Sequence, residues 1–90
     1  MNIDDKTYFE RFDTTTINRQ DKEHFLHPFQ VFDVFSEEGA LPIAAARDAY
    51  IYDSDGRKYL DAVGGLWCTN IGLGREEMAN VIADQVRQMA

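Results

Sequence analysis

Few side chains in this 90-residue sequence have a type and spacing suited to chemistry. His24 and His27 stand three apart, a spacing that can bind a metal from a helix. No second ligand pair accompanies them and Pro28 breaks the helix, so no metal site is expected. Cys68 would need a neighbouring base to act as a nucleophile, and the sequence names none, so a packed thiol is expected. Asp53, Asp55 and Asp61 read as turn and strand-end residues. Lys6, Lys22 and Lys58 sit in charged, wet surroundings, unlike the desolvated lysine that forms a Schiff base. Gly72-Leu73-Gly74 is followed by neither a third spaced glycine nor Gly-Lys-Ser/Thr, so neither dinucleotide nor P-loop binding follows from it. No catalytic residue emerges. What remains is a placed aromatic: Trp67, the sole tryptophan, in a Gly64–Gly74 stretch that holds four of the six glycines. The plainer reading makes it the core side chain of a tight strand-to-helix connection. The sharper one makes the loop a pocket wall carried by rigid neighbours.

The elements that must position this loop can be read in order. Residues 4–13 bring Tyr8, Phe9 and Phe12 toward one face of a short helix or loose arm. Thr14, Thr15 and Thr16 offer capping hydroxyls for a helix that should end near Phe25 or Leu26, since Pro28 holds His27 in extended conformations. Residues 25–35 contain four of the six phenylalanines. Their period is interrupted by Pro28 and Asp33, predicting an irregular segment that lies against the protein body or a partner subunit. Ser36-Glu37-Glu38-Gly39 signals a turn. Leu41–Arg47 reads as a strand with Pro42 near its start. Tyr50-Ile51-Tyr52 and Lys58-Tyr59-Leu60 flank Asp53-Ser54-Asp55-Gly56-Arg57, a hairpin pattern that completes a small antiparallel meander. Met78, Val81, Ile82, Val86 and Met89 form one face of a helix. Gly74 is its expected N-cap, Leu73 and Met78 its hydrophobic staple, and Glu76 and Glu77 suit its first turn. No stop signal follows before Ala90, predicting a helix that is cut rather than finished.

Composition narrows the function classes. Ninety residues make at most one small domain, and 44% hydrophobic content argues against wholesale disorder. A net charge of -7 leaves no basic face for nucleic acid. One cysteine cannot staple a fold and suits a reducing compartment. The acidic amino terminus is not a secretory signal, and no apolar run approaches membrane-spanning length. A cytoplasmic protein that binds neither membrane nor nucleic acid is expected.

Three motifs then carry a resemblance: His27-Pro28-Phe29; Tyr50-Ile51-Tyr52-Asp53-Ser54-Asp55-Gly56-Arg57-Lys58-Tyr59-Leu60-Asp61; and Gly65-Leu66-Trp67-Cys68-Thr69-Asn70-Ile71-Gly72-Leu73-Gly74-Arg75. In this order and spacing the sequence resembles the amino-terminal part of a class III aminotransferase of the ω-amino acid or amine:pyruvate type, over nearly all of residues 21–90. The resemblance implies an α+β fragment: an amino-terminal helix, the antiparallel meander and the last amphipathic helix. These would form part of the small domain of a fold type I pyridoxal-phosphate enzyme and its junction to the large domain. Residues 1–13 would be an arm, and 14–90 an incomplete domain.

By the same resemblance, Leu66 and Trp67 match positions that line the substrate site, and Phe29 matches another pocket aromatic near the subunit boundary. The implied enzyme is a homodimer that passes an amino group from an amine or ω-amino acid to pyruvate or a similar keto acid. The groups that hold pyridoxal phosphate match positions beyond Ala90, so the 90-residue chain alone is expected to be inactive. The alternative is a non-catalytic interaction module derived from such an enzyme, pairing through Phe25 to Phe35.

Overall fold

Asp13 starts the first helix. In a computed structural model, which describes residues 2–89, α1 spans Thr14–His24, and Asp13 accepts hydrogen bonds from the Thr16 backbone N–H at 3.1 Å and its Oγ1 at 2.7 Å. The threonines expected as caps are the helix's first turn instead, because a carboxylate one residue earlier reaches the free N–H groups better than their short hydroxyls. The Asp13 carboxyl lies below its ordinary value of 3.8, first through the Thr16 hydroxyl and then through the Thr16 N–H. A lowered folded value means the cap stabilises α1 fully above about pH 4. That stabilisation disappears as pH falls through the folded value. Following the Thr16 amide by NMR should show this acid-side loss, and Asp13→Asn, a cap without the titration, should abolish it.

Two compact units make up the chain: residues 1–45 with 52–57, and residues 46–51 with 58–90. The division passes through two strands, β1 (Ile43–Arg47) and β2 (Tyr50–Asp53); β3 (Lys58–Leu60) completes an antiparallel sheet of order β1-β2-β3. The expected meander is therefore present, with β1 beginning after Pro42.

In the first unit a 3-10 turn at Tyr8–Arg11 precedes α1, and the rings of Tyr8, Phe9 and Phe12 meet edge-on. Phe9 stacks on Tyr52 with ring centroids 6.2 Å apart. The turn after β2 is built on Asp53, whose carboxylate accepts from the Asp55 and Arg57 N–H groups at 3.0 and 2.8 Å. Asp53 is only 1% exposed. Burial of a carboxylate is tolerated there because its oxygens are filled by backbone donors and Arg57. Ser54, also buried, lies 2.6 Å from the Thr14 hydroxyl and donates its backbone N–H to the Pro42 carbonyl.

The phenylalanine-rich stretch differs from expectation. Phe32–Glu38 is a helix, α2, ended by Gly39 at φ 77. Ser36, Glu37 and Glu38, expected as a turn, are its last turn. Its seven residues are too few to show a period next to Pro28, and Lys22 supports it from α1 by donating to the Ser36 carbonyl at 2.9 Å.

In the second unit the last helix, α4, spans Glu76–Gln88 with Arg75 at the N-cap, one residue later than expected. Gly74 instead lies close against β1. It sits at φ +67, and a Cβ there would stand 2.9 Å from the Ala46 carbonyl oxygen. Only glycine permits that approach. Leu73 accordingly serves no staple; it forms an antiparallel bridge with Asp48.

Little apolar surface is covered. Ile3 and Ala45 are the buried hydrophobic residues among those described, while Phe25, Phe32, Val81, Ile82 and Val86 all stand exposed. No helix among the described residues is long and apolar enough to cross a membrane.

Candidate functional site

The loop that carries Leu66 and Trp67 is fastened at both ends to neighbouring residues of the same unit. At its start the Asp61 N–H donates to the Ala49 carbonyl at 2.9 Å; at its end Asp48 and Leu73 exchange two backbone bonds of 2.8 Å each. Asp61 then accepts from the Val63 and Gly64 N–H groups at 3.2 and 2.9 Å. Asp61 was expected merely to end a strand. Its carboxylate organises the entry to the loop, and the signal was the short polar side chain two and three residues ahead of free backbone donors.

From there the chain takes one left-handed turn. Gly64, Gly65, Leu66 and Trp67 all have positive φ, at 57, 63, 56 and 70 degrees, and the short helix α3 (Gly64–Trp67) is this turn. The Cys68 and Thr69 N–H groups close it onto the Gly64 carbonyl at 3.1 and 3.0 Å. The two glycines enter the conformation freely, whereas Leu66 and Trp67 each carry about 1–2 kcal/mol of backbone strain. Such strain persists where the surroundings over-determine it, and it concentrates at binding sites.

The turn holds Trp67 outward, 96% exposed, with Leu66 exposed beside it. The core-filling reading of Trp67 fails among the described residues: a left-handed backbone turns the ring away from the unit that carries it. Cys68, expected as a packed thiol, is also exposed, its Sγ 3.7 Å from the Leu66 carbonyl oxygen.

Of the three expected wall residues, Leu66 and Trp67 are neighbours in one unit and Phe29 belongs to the other. Phe29 sits in the turn between α1 and α2, at φ 55 and 97% exposed.

The groups weighed for chemistry fall as follows. His27 donates from Nε2 to both carboxylate oxygens of Asp21, at 2.9 and 2.7 Å, and His24 lies 3.6 Å from Glu23. Among the described residues no three of His, Cys, Asp or Glu are grouped to hold a metal. Lys6, Lys22 and Lys58, the three lysines of the sequence, are all exposed; Lys58 Nζ lies 3.8 Å over the Tyr50 ring. Near the start of α4 an open depression of about 290 Å³ is lined by Ile71, Arg75, Glu77 and Met78. The Glu77 carboxyl is held below its usual 4.5, first by its own backbone N–H and then by Arg75 at 3.3 Å.

No protein-family model matches the chain. Individual proteins do. The chain is 44% identical over 68 residues to the putrescine–pyruvate aminotransferase of Pseudomonas aeruginosa, covering 76% of the chain and 15% of that enzyme. It is 36% identical over 78 residues to the adenosylmethionine-8-amino-7-oxononanoate aminotransferase of Aquifex aeolicus, covering 87% of the chain and 17% of the relative. Its backbone superposes on an (S)-enantioselective omega-transaminase from Thermomicrobium roseum with a TM-score of 0.82 at 32% identity, over 88% of this chain and 18% of that one. The chain thus spans about a sixth of the length of the enzymes it matches. Sequence and backbone agree, and the chain belongs to the class III aminotransferases, as a segment of one.

Proposed function

We propose that this chain supplies part of the substrate wall of a homodimeric, cytoplasmic aminotransferase. That enzyme would move an amino group from an amine or ω-amino acid to pyruvate or a similar keto acid. Phe29, Leu66 and Trp67 would form the wall, residues 1–13 an arm, and residues 14–90 an incomplete domain. The observation that carries this reading is the outward presentation of Trp67 on a left-handed turn fastened at both ends. A ring held in that way offers a flat apolar face to a ligand rather than to its own core. The putrescine–pyruvate enzyme among the relatives supports an amine donor and pyruvate as acceptor.

Pyridoxal phosphate, when bound to a full-length aminotransferase, supplies the electron sink for amino transfer. The residues of this chain do not fit that group. Its Schiff base needs a desolvated lysine, and all three lysines here are exposed. What remains for these residues is to orient the substrate and to keep water from it.

Trp67→Ala in a full-length enzyme carrying this segment tests the assignment. Removing the ring opens space, so kcat/KM for a bulky amine should rise about tenfold relative to a small one. The thermal midpoint should move little, because the ring is exposed. An unchanged ratio with a midpoint lowered as by a core truncation of about 3–5 kcal/mol would remove Trp67 from the wall.

A further inference from the structure

Phe29 is the most exposed of the proposed wall residues and stands on a backbone that does not favour it. Its φ of 55 lies in the region that glycine fills easily and phenylalanine does not. Something must hold the turn in that form. The turn lies in the segment Leu26–Val31, between α1 and α2, where the backbone is in neither helix nor strand.

His27 ties this segment back to α1. Its Nε2–H donates to Asp21 Oδ1 and Oδ2 at 2.9 and 2.7 Å, and both side chains are largely covered, with 26% and 21% of their surface exposed. The imidazole is also held on its flanks. Its centroid lies 4.7 Å from that of Phe25, at the end of α1, and 5.2 Å from that of Phe35 on α2. One ring therefore touches both helices that bound the segment. Pro28 transmits the constraint, since its own φ is locked by the pyrrolidine ring and few torsions separate the imidazole from the Phe29 backbone. Pairs of this kind hold a geometry because a charged acceptor makes the hydrogen bond strong and partial burial shields it from water.

We propose that His27 and Asp21 are positioning residues for Phe29, so that this pair sets the size of amine the substrate wall accepts. The proposal rests on the assignment of Phe29 to that wall. Neither residue touches substrate in this reading; each acts through the Phe29 ring. Release of His27 from Asp21 lets the Pro28–Phe29 turn relax toward negative φ, which swings the ring from its place and blurs the boundary between accepted and rejected amines.

The test uses a full-length enzyme carrying this segment, loaded with cofactor, with kcat/KM measured for one small and one bulky amine alongside the thermal midpoint. Asp21→Ala should change the bulky-to-small ratio by about 3- to 10-fold, a modest part of the discrimination a pocket contact provides. Asp21→Asn keeps an acceptor for the His27 N–H and should bring the ratio back to within about twofold of wild type. In a Phe29→Ala background Asp21→Ala should have no further effect on the ratio, as two residues acting through one contact are not additive. A lowered midpoint with an unchanged ratio in Asp21→Ala would make the pair merely structural and overturn the proposal. A ratio shift that persists in the Phe29→Ala background would overturn it too, since the pair would then act by another route. Phe29→Ala that leaves the ratio unchanged would instead overturn the wall assignment beneath it.

Discussion

Mixed with pyridoxal phosphate, an amine donor and a keto acid, the purified 90-residue chain should transfer no amino group above the uncatalysed background. The expected deficit is large: enzymes of ordinary competence exceed background by about a millionfold or more. The reason lies in the lysines. A Schiff base at neutral pH needs an amine that has lost its water shell or sits beside another cation. Lys6 is exposed, Lys22 donates to the Ser36 carbonyl from an exposed position, and Lys58 rests on Tyr50 at the surface. Cofactor added to the chain should therefore show no lasting protein-bound absorbance after gel filtration. Turnover that scales with chain concentration, survives further purification and disappears in a lysine variant would overturn this expectation.

The second large effect concerns the chain in solution. Sedimentation velocity across a hundredfold range of concentration should show growing mass, with strong binding of a hydrophobic dye. Val81, Ile82 and Val86 on α4, Met89 just after it, and Phe25, Phe29 and Phe32 before and within α2, are all more than half exposed. Covering each such side chain is worth about 1.5–3 kcal/mol, so several on one face drive association strongly. An exposed apolar face of this extent is rare on a protein that lives as a monomer. The pair Ile82→Glu with Val86→Glu, one turn apart on α4, should weaken association while leaving the helix itself intact. A monomer at every concentration, melting sharply and binding no dye, would show that the face needs no cover.

How far the sequence anticipates these features depends on whether the cause is local. The β2–β3 hairpin was legible because Asp53 and Gly56 sit where a turn demands them, and the turn's own backbone fills the Asp53 carboxylate. The α4 face was legible because thirteen residues carry several full helical periods. Helix α2 was not, since seven residues beside a proline show too little period to separate helix from irregular chain. The caps differ from expectation at both long helices, Asp13 in place of one of Thr14–Thr16 and Arg75 in place of Gly74, because the deciding partners were the carboxylate at 13 and the Ala46 carbonyl facing Gly74.

The candidate site divides along the same line. Glycines around a lone tryptophan are readable in one dimension and made the Trp67 loop a candidate pocket wall; Phe29 and Leu66 joined it only through the resemblance to the family. Charged neighbours around each lysine, equally readable, argued against Schiff-base chemistry. The direction in which Trp67 faces was decided by tertiary structure alone. Ala49 and Asp61 are twelve positions apart in sequence and Asp48 and Leu73 twenty-five, yet backbone bonds join each pair and so close the loop around its left-handed turn. The clasp of His27 on Asp21 is likewise a contact across the end of a helix, which no periodicity announces. Local pattern names a residue; the closure of the chain around it decides what that residue can touch.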